Sequence, residues 1–564
     1  MHPLFTKESR DIPDIPWNRY PRPQMVREDW LCLNGIWDLK IGSPPSVPVR
    51  VPYCPESLLS RVETPPKAGE TLSYSRTFTL PDSWRGEKIL LHCGAVSSYA
   101  CVLLNGRQLA THENSYLPFT VDLSPALTEG DNLLEITAVN DLSHKYPWGK
   151  QSEKRGGMWY TPVSGIWQTV WLEPVPETYI RSLSVSTTAS QVSIRVHGAE
   201  NGNVLFAGRS YPLQAGSVTI RVPDPVLWSP DNPHLYPFSV VCGADTVTSY
   251  FALRTLSTEL RGGIPRLCLN GKPFFFHGLL DQGYWSDGLY TPAGPECYEK
   301  DILAIKALGF NTLRKHIKIE PEQFYYDCDR LGMIVFQDMV NCGDYSFLHD
   351  TILPTIHFLK RNDTELHPDP DTRRHFLEAM DETVSLLGNH PCICLWTIFN
   401  EGWGQFCADD AYDRLKKQDP SRFIDSTSGW FHQKKSDVDS LHIYFARLRL
   451  GRQALPQLLS EFGGYSYKLF THSANLKKTY GYRKFKDRGQ YVEALKALYW
   501  DEVLPLVKEG LCGAIYTQVS DVEDETNGLF TFDRRVLKVE PNDLMGIAKA
   551  LQNAICGIFR RETP

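Results

Sequence analysis

Between Phe274 and Gln518 short apolar runs alternate with helical periods, and no other feature of the chain constrains the fold as tightly. The predicted strands are Phe274–Gly278, Asn311–His316, Met333–Asp338, Ile393–Asn400, Phe423–Ser426, Ser440–Tyr444, Gln457–Glu461 and Gly513–Gln518. Helical stretches separate most of them, at Glu299–Leu308, Pro321–Leu331, Arg373–Leu387 and Tyr491–Val507. Eight β/α repeats predict a C-terminal (β/α)8 TIM barrel, whose strands end at the face that carries the chemistry.

Upstream the texture differs. From Trp30 to Pro174 apolar and polar residues alternate with period two, frequent turns intervene, and helical periods are almost missing. Asn105-Gly106 marks a tight hairpin, because both residues tolerate positive φ. This is the pattern of an N-terminal jelly-roll β-sandwich. Shorter strands at Gln191–Val196, Ser217–Val222 and Pro237–Val241 fit an immunoglobulin-like β-sandwich. A chain of 564 residues exceeds one core, and the expected domains are 1–174, 175–257 and 258–564.

Charge narrows the function. A formal net charge of −7 without a basic cluster argues against nucleic acid as a partner. The 14 Trp, 26 Tyr and 26 Phe suit stacking against sugar rings, although large cores use aromatic residues too. The first ten residues lack a signal-peptide apolar stretch and no run reaches 18 apolar residues, so a cytoplasmic protein without membrane partners is expected. The 14 Cys lack zinc-site spacing, and Cys392-x-Cys394 reads as buried free thiols; neither a metal nor another cofactor is expected.

Two glutamates stand at predicted strand ends. Glu401 follows the fourth strand and Glu461 closes the seventh. A lone strand-end glutamate is more often a salt-bridge partner than a catalyst. Two facing each other over a barrel mouth are the equipment of a retaining glycosidase, in which one carboxyl protonates the leaving oxygen and the other attacks the anomeric carbon, at a separation of about 5–5.5 Å. Asn400 beside Glu401 is suited to hydrogen-bonding a sugar 2-hydroxyl, and an amide at the end of an apolar strand is costly unless it faces a polar cleft.

Asn400-Glu401 after a strand, Ser460-Glu461-Phe462-Gly463-Gly464 sixty residues on, and the order sandwich, immunoglobulin-like domain, barrel together resemble glycoside hydrolase family 2. Leu33-Asn-Gly-Ile-Trp37, Gly94-Ala-Val-Ser-Ser-Tyr99 and Ser164-Gly-Ile-Trp-Gln-Thr-Val-Trp-Leu172 are similar to its sugar-binding domain, and Leu227-Trp-Ser-Pro-Asp-Asn-Pro-His-Leu-Tyr236 to the end of its middle domain. The resemblance covers nearly the whole chain. It implies that Glu401 is the general acid/base, that Glu461 is the nucleophile, that the β configuration is retained, and that Tyr444 hydrogen-bonds the nucleophile.

The chain also departs from the family pattern. Asp281 and Gln282 occupy the end of the first strand where the family carries a basic residue, His and Glu; Arg314-Lys-His-Ile317 replaces Arg-x-Ser-His, which keeps the arginine and puts His316 in the serine's position. Uronate-cleaving members read the sugar carboxylate with Asn-x-Lys before Gly-(Ile/Leu)-Phe-Thr, whereas this chain has Glu525-Thr-Asn527 before Gly528-Leu-Phe-Thr531. A glutamate there repels an anion, which disfavours a uronate unless another cation such as Lys315 or Lys318 substitutes. The expected substrate-binding set is Asn400, Asp281, Arg314, His316, Asp338, Trp403, Trp430, His442, Tyr444, Tyr516 and Gln518. The expectation is a retaining exo-β-glycosidase acting on small glycosides or oligosaccharides as a homo-oligomer, with β-galactosidase as the leading specificity and a β-uronidase as the alternative. A noncatalytic carbohydrate-binding protein on a dead barrel is the rival from another class, and the presence of both glutamates argues against it.

Overall fold

The structure is a computed structural model that describes residues 2–355, 358, 360–451 and 454–561. Three layers of architecture follow one another along the chain. The first is a β-sandwich with a six-stranded antiparallel sheet, in the order 47–51, 35–41, 71–79, 131–139, 99–104, 107–113, facing a four-stranded sheet of 31–32, 170–175, 88–93 and 119–122. Strand Gly35–Ile41 alternates buried and exposed, so Trp37 and Leu39 enter the sandwich core while Ile36 faces out. The hairpin between Tyr99–Leu104 and Arg107–Glu113 turns on Asn105 and Gly106, both with positive φ (51° and 78°).

The second sandwich pairs a three-stranded sheet (182–187, 191–197, 217–221) with a four-stranded one (209–212, 203–206, 236–242, 245–251), closing on Val192, Ile194, Val204, Phe238 and Val240. An antiparallel hairpin, Leu256–Arg261 with Ile264–Leu269, leads into the barrel. The first thirty residues run across all three parts. Thr6 hydroxyl and amide donate to Asp287 at the barrel mouth (2.7 and 2.8 Å), and Val26 pairs with Thr248 of the second sandwich.

The barrel strands are β1 (Phe276–Asp281), β2 (Thr312–Lys315), β3 (Ile334–Asp338), β4 (Ile393–Asn400), β5 (Phe423–Ser428), β6 (Asp439–Ile443), β7 (Gln457–Phe462) and β8 (Leu511–Tyr516). All their pairings are parallel, in the order β5-β4-β3-β2-β1-β8-β7-β6, so the barrel closes everywhere except between β5 and β6. That seam is bridged instead by single bonds from the loop before β6, such as Asp437 N–H to Ile424 C=O (2.9 Å) and Ser426 hydroxyl to Lys435 C=O (2.6 Å). β4, β5, β7 and β8 are buried along their whole length, as expected of parallel strands covered by helices.

Several strand ends shift by one to three residues, and two differences have a clear physical cause. β1 starts at Phe276 instead of Phe274, because Lys272–Pro273 pairs back onto the entering hairpin and Phe274 N–H bonds Leu267 C=O. The helix expected over Tyr491–Val507 is Arg488–Ala497, a widened π turn at Leu498–Val503, and a further helix at Leu504–Glu509. Pro505 has no N–H to return to the preceding turn, which favours such a break. No helix among the described residues is long and apolar enough to cross a membrane.

The sandwiches are joined by a buried ionic clamp. Arg27 bonds Asp245 through Nε and Nη2 (2.9 and 2.8 Å), Ile180 C=O (2.7 Å) and Glu173 (3.0 Å), and Arg22 also bonds Glu173 (2.6 Å). Removing one member of such a buried set strands the opposite charge. Arg27→Ala is expected to lower the unfolding free energy by about 3 kcal/mol in urea denaturation followed by tryptophan fluorescence; a shift of the transition within experimental error would mean that the clamp adds no stability.

Candidate active site

Glu401 is the first residue past β4 and takes a left-handed backbone conformation (φ 52°), with its N–H bonded to Ser428 C=O on β5 (3.0 Å). The turn continues through Gly402-Trp403-Gly404. A Cβ on Gly404 would lie 1.8 Å from Cys342 C=O, so only glycine fits there. Glu461 lies at the end of β7, 5% exposed, and one carboxylate oxygen of Glu401, one of Glu461 and one ring nitrogen of His442 all fall within 4.8 Å of one another. An oxygen of each carboxylate thus lies within 4.8 Å of one of the other, and the His442 ring is beside both. Although that triad is close enough for a metal ion, the Arg314 guanidinium 3.0 Å from Glu461 disfavours a further cation.

Arg314 organises the floor. Its Nε donates to Asp338 Oδ1 (2.9 Å), Nη1 to Glu461 Oε1 (3.0 Å) and Ser460 C=O (3.1 Å), and Nη2 to Asn400 Oδ1 (2.8 Å) and Ser428 Oγ (2.9 Å). Asp338 also accepts from His316 Nδ1 (2.8 Å), and these two partners hold its carboxyl below the usual range although burial opposes this. Burial lowers the imidazole of His316 to about 4, so at neutral pH the ring is uncharged and its Nδ1–H donates.

The two carboxyls sit in different surroundings. For Glu461, burial raises the pKa, but its cationic surroundings, Arg314 and Lys150 among them, outweigh it and bring the group down to about 2. Tyr444 donates its hydroxyl to the other oxygen of Glu461. Among the described residues the Glu401 side chain bonds only His442 Nδ1 (2.7 Å). His442 Nε2 lies 3.3 Å from Arg314 Nη1, which can only donate; in the neutral ring the lone pair is therefore on Nε2, and Nδ1–H points to Glu401.

The other expected residues divide. Trp403 is buried with its indole Nε1 unpartnered, and Gln518 keeps Oε1 unpartnered while its amide donates to Glu525 and Asn527 (2.5 and 2.9 Å). Among the described residues those two atoms are a donor and an acceptor without a protein partner. Trp430 is half-buried with its edge toward the His442 ring. Asp281 is a correction: its carboxylate is bonded to Lys315 (2.5 Å) and Gly283 N–H (2.9 Å) and is not brought to Glu401 and Glu461. Tyr516 is another, since it is fully buried against Phe462 and its hydroxyl accepts from Tyr465 N–H, as a core tyrosine does. Lys315 and Lys318, the expected substitute cations, are both consumed. Lys315 bonds Asp281 and Glu320 (2.7 Å), and Lys318 bonds Glu320 (2.9 Å) and two carbonyls.

What sequence reasoning missed is a wall supplied by the first sandwich. Residues 144–161 lie over the barrel mouth, where Trp148 Nε1 donates to Gly343 C=O (3.1 Å), Thr161 N–H to Glu523 (2.8 Å) and Tyr160 hydroxyl to Glu525 (2.8 Å). Rings stack in series from His144 to Trp148, Trp159 and Trp403, with successive centroids 4.1, 5.4 and 5.4 Å apart. Lys150 comes in with them. The signal was present as a stretch of about twenty residues with little strand alternation, since loops of that length are usually functional.

Three family models match this chain: the galactose-binding domain-like model of glycosyl hydrolase 2 at residues 61–166, the glycosyl hydrolases family 2 model at 176–254, and the family 2 TIM barrel domain at 260–457. The chain belongs to glycoside hydrolase family 2. Human β-glucuronidase is 26% identical to this family 2 chain over 429 residues, 66% of this chain and 62% of that protein; an Aeromonas hydrophila β-galactosidase is 26% identical over 490, 76% and 44% respectively. The chain thus spans less than two thirds of the length of these relatives. Among solved structures, a Dictyoglomus thermophilum β-D-glucuronidase superposes with a TM-score of 0.73 at 18% identity over 95% of this chain and 98% of that one. A galacturonate-bound β-galacturonidase from Eisenbergiella tayi gives 0.69 at 20% over 95% and 99%. These agree on the fold of sandwich, immunoglobulin-like domain and TIM barrel.

Because Glu461 is held low chiefly against burial by neighbouring cations, it is ionised above about pH 2, and the ionised fraction falls as pH drops through that value. Arg314→Gln removes one cation, so the acidic limb of kcat/KM is expected to move upward by at least about one pH unit. A limb that stays in place while circular dichroism reports a folded protein would mean that Arg314 does not set the charge of Glu461.

Proposed function

We propose that this protein is a retaining exo-β-glycosidase that hydrolyses a terminal β-linked sugar from small glycosides or oligosaccharides. The observation that carries the reading is the pair Glu401 and Glu461, with an oxygen of each within 4.8 Å of one of the other and unlike surroundings. A gap of that size suits direct attack on the anomeric carbon, whereas an inverting enzyme leaves about 6.5–9.5 Å for a water. Glu461, held ionised by Arg314 and Tyr444, is the nucleophile. Glu401, on the more open side beside the Trp403 stack, gives its proton to the leaving oxygen and then takes one from water. Asn400, fixed by Arg314 and Ser428, offers its amide N–H to the sugar 2-hydroxyl, a bond that strengthens as charge develops at the ring.

The relatives' names divide between β-glucuronidase and β-galactosidase, and solved neighbours include β-glucuronidases and a β-galacturonidase. Residue order along the chain alone favours a β-galactoside, whereas the charges brought together in the folded site favour a uronide. One observation favours the second reading, a uronide. The expected repulsion from Glu525 is weakened, because its oxygens are engaged by Tyr160 (2.8 Å) and Gln518 (2.5 Å), and burial raises its pKa.

Glu461→Gln is expected to cut kcat by several orders of magnitude without loss of fold, because the nucleophile goes while its volume stays. Proton NMR of the first-formed sugar should give the β anomer; the α anomer as first product would exclude the double-displacement reading. Glu401→Gln should slow glycosides with poor leaving groups far more than those with nitrophenolate-type ones, which need little protonation. Equal slowing across leaving groups would remove Glu401 from the acid role.

A further inference from the structure

We propose that Lys150, delivered by the N-terminal sandwich and not by the barrel, is the residue that selects the sugar, by binding a carboxylate on it. This rests on the retaining-glycosidase reading above and deepens it to a substrate class, the β-uronides.

Lys150 is 8% exposed, and among the described residues its ammonium has no hydrogen-bond or ion-pair partner. Its contacts are the faces of Tyr160 and Trp403, with Nζ 5.8 and 5.6 Å from the ring centroids. Each neighbouring buried cation is matched: Arg314 by Asp338 and Glu461, Lys315 by Asp281 and Glu320, Lys318 by Glu320, and Lys538 by Asp521. The Nζ itself keeps some contact with solvent, and the aromatic faces beside it, worth about 0.5–2 kcal/mol, do not satisfy its N–H groups, so the ammonium is left open to an acceptor brought by a ligand.

The backbone that carries it is fixed. Lys150 C=O accepts from Tyr160 N–H (3.0 Å), and Gln151 bonds Tyr116 hydroxyl (2.9 Å) and Val163 N–H (2.6 Å). Gly149 has φ +70°, and a Cβ there would lie 2.6 Å from the Tyr116 hydroxyl, so the chain reaches this position only through glycine. Lys150 is therefore held over the mouth by design of the turn.

Both carboxylates that feel its charge are otherwise engaged. Glu461 bonds Arg314 through one oxygen and Tyr444 through the other, and Glu525 bonds Tyr160 and Gln518 in the same way. Trp403, whose face Lys150 overlies, is two residues after Glu401. The ammonium thus stands at the margin of the space that a sugar on Glu461 would occupy, and a carboxylate on that sugar supplies the acceptor that the protein does not. A neutral hydroxymethyl group leaves the charge unmatched.

The test is kcat/KM for 4-nitrophenyl β-D-glucuronide, β-D-galacturonide, β-D-glucoside, β-D-galactoside and 6-sulfo-β-D-galactoside, with the full-length protein and with Lys150→Met and Lys150→Arg, each checked by thermal melting. Expected is at least a tenfold preference for one uronide over its neutral counterpart. In Lys150→Met that ratio should fall at least 30-fold, mainly through KM, and Lys150→Arg should restore part of it. A neutral preference, an equal loss on uronide and neutral sugar in Lys150→Met, or a preference for the sulfate ester over both uronides overturns the assignment while leaving the glycosidase reading standing. Silence on all five, with Glu461 unlabelled by activated 2-fluoro glycosides of the same sugars, overturns both.

Discussion

The buried guanidinium of Arg314 is the interaction on which the site depends. From β2 it reaches Asp338 on β3, Asn400 on β4, Ser428 on β5, His442 on β6, and Ser460 and Glu461 on β7. Six of the eight strand ends are thereby tied to one planar cation. A planar fork with five donors can do this, whereas a lysine ammonium cannot span the same set. The arrangement also answers the electrostatic problem it creates. A carboxylate as buried as Glu461 would resist ionisation, and the Arg314 guanidinium bonded to it offsets that cost.

The open seam between β5 and β6 lies beside this network. His442 at the end of β6 and Trp430 just after β5 approach each other across it, and His442 reaches Glu401 there. A ladder between these strands would pull β6 inward; its absence leaves room for an imidazole between two carboxylates. The sandwich loop also lies over the mouth, with aromatic rings stacked onto Trp403 and Tyr160 bonded to Glu525. In the proposed mechanism the barrel supplies the reacting groups, and the first domain supplies part of the wall around them.

Parts of this were legible from residue order. Apolar runs of strand length between amphipathic periods place Glu401 and Glu461 at the ends of β4 and β7, because strand period and burial act locally. Asn105-Gly106 specified its hairpin by backbone conformation alone. The start of β1 was misread because Phe274 and Phe275 are as apolar as the strand proper, and only pairing with the entering hairpin separates them. Asp281, Lys315 and Lys318 looked like cleft residues because charges near a strand end usually are; Glu320, a few positions away, gathers both lysines into a buried network that spacing does not reveal.

The sequence by itself determined the order of domains, the barrel and the two strand-end carboxyls, since each follows from local periodicity and chain connectivity. Which cation is left unpaired beside the Trp403 stack was decided only in three dimensions. Lys150 is 251 positions from Glu401 in a different domain, and whether its charge is matched depends on what Glu461, Glu525, Tyr160 and Gln518 bond when folded together. Electrostatic pairing acts through space over a few ångströms, and no pattern along the chain records it.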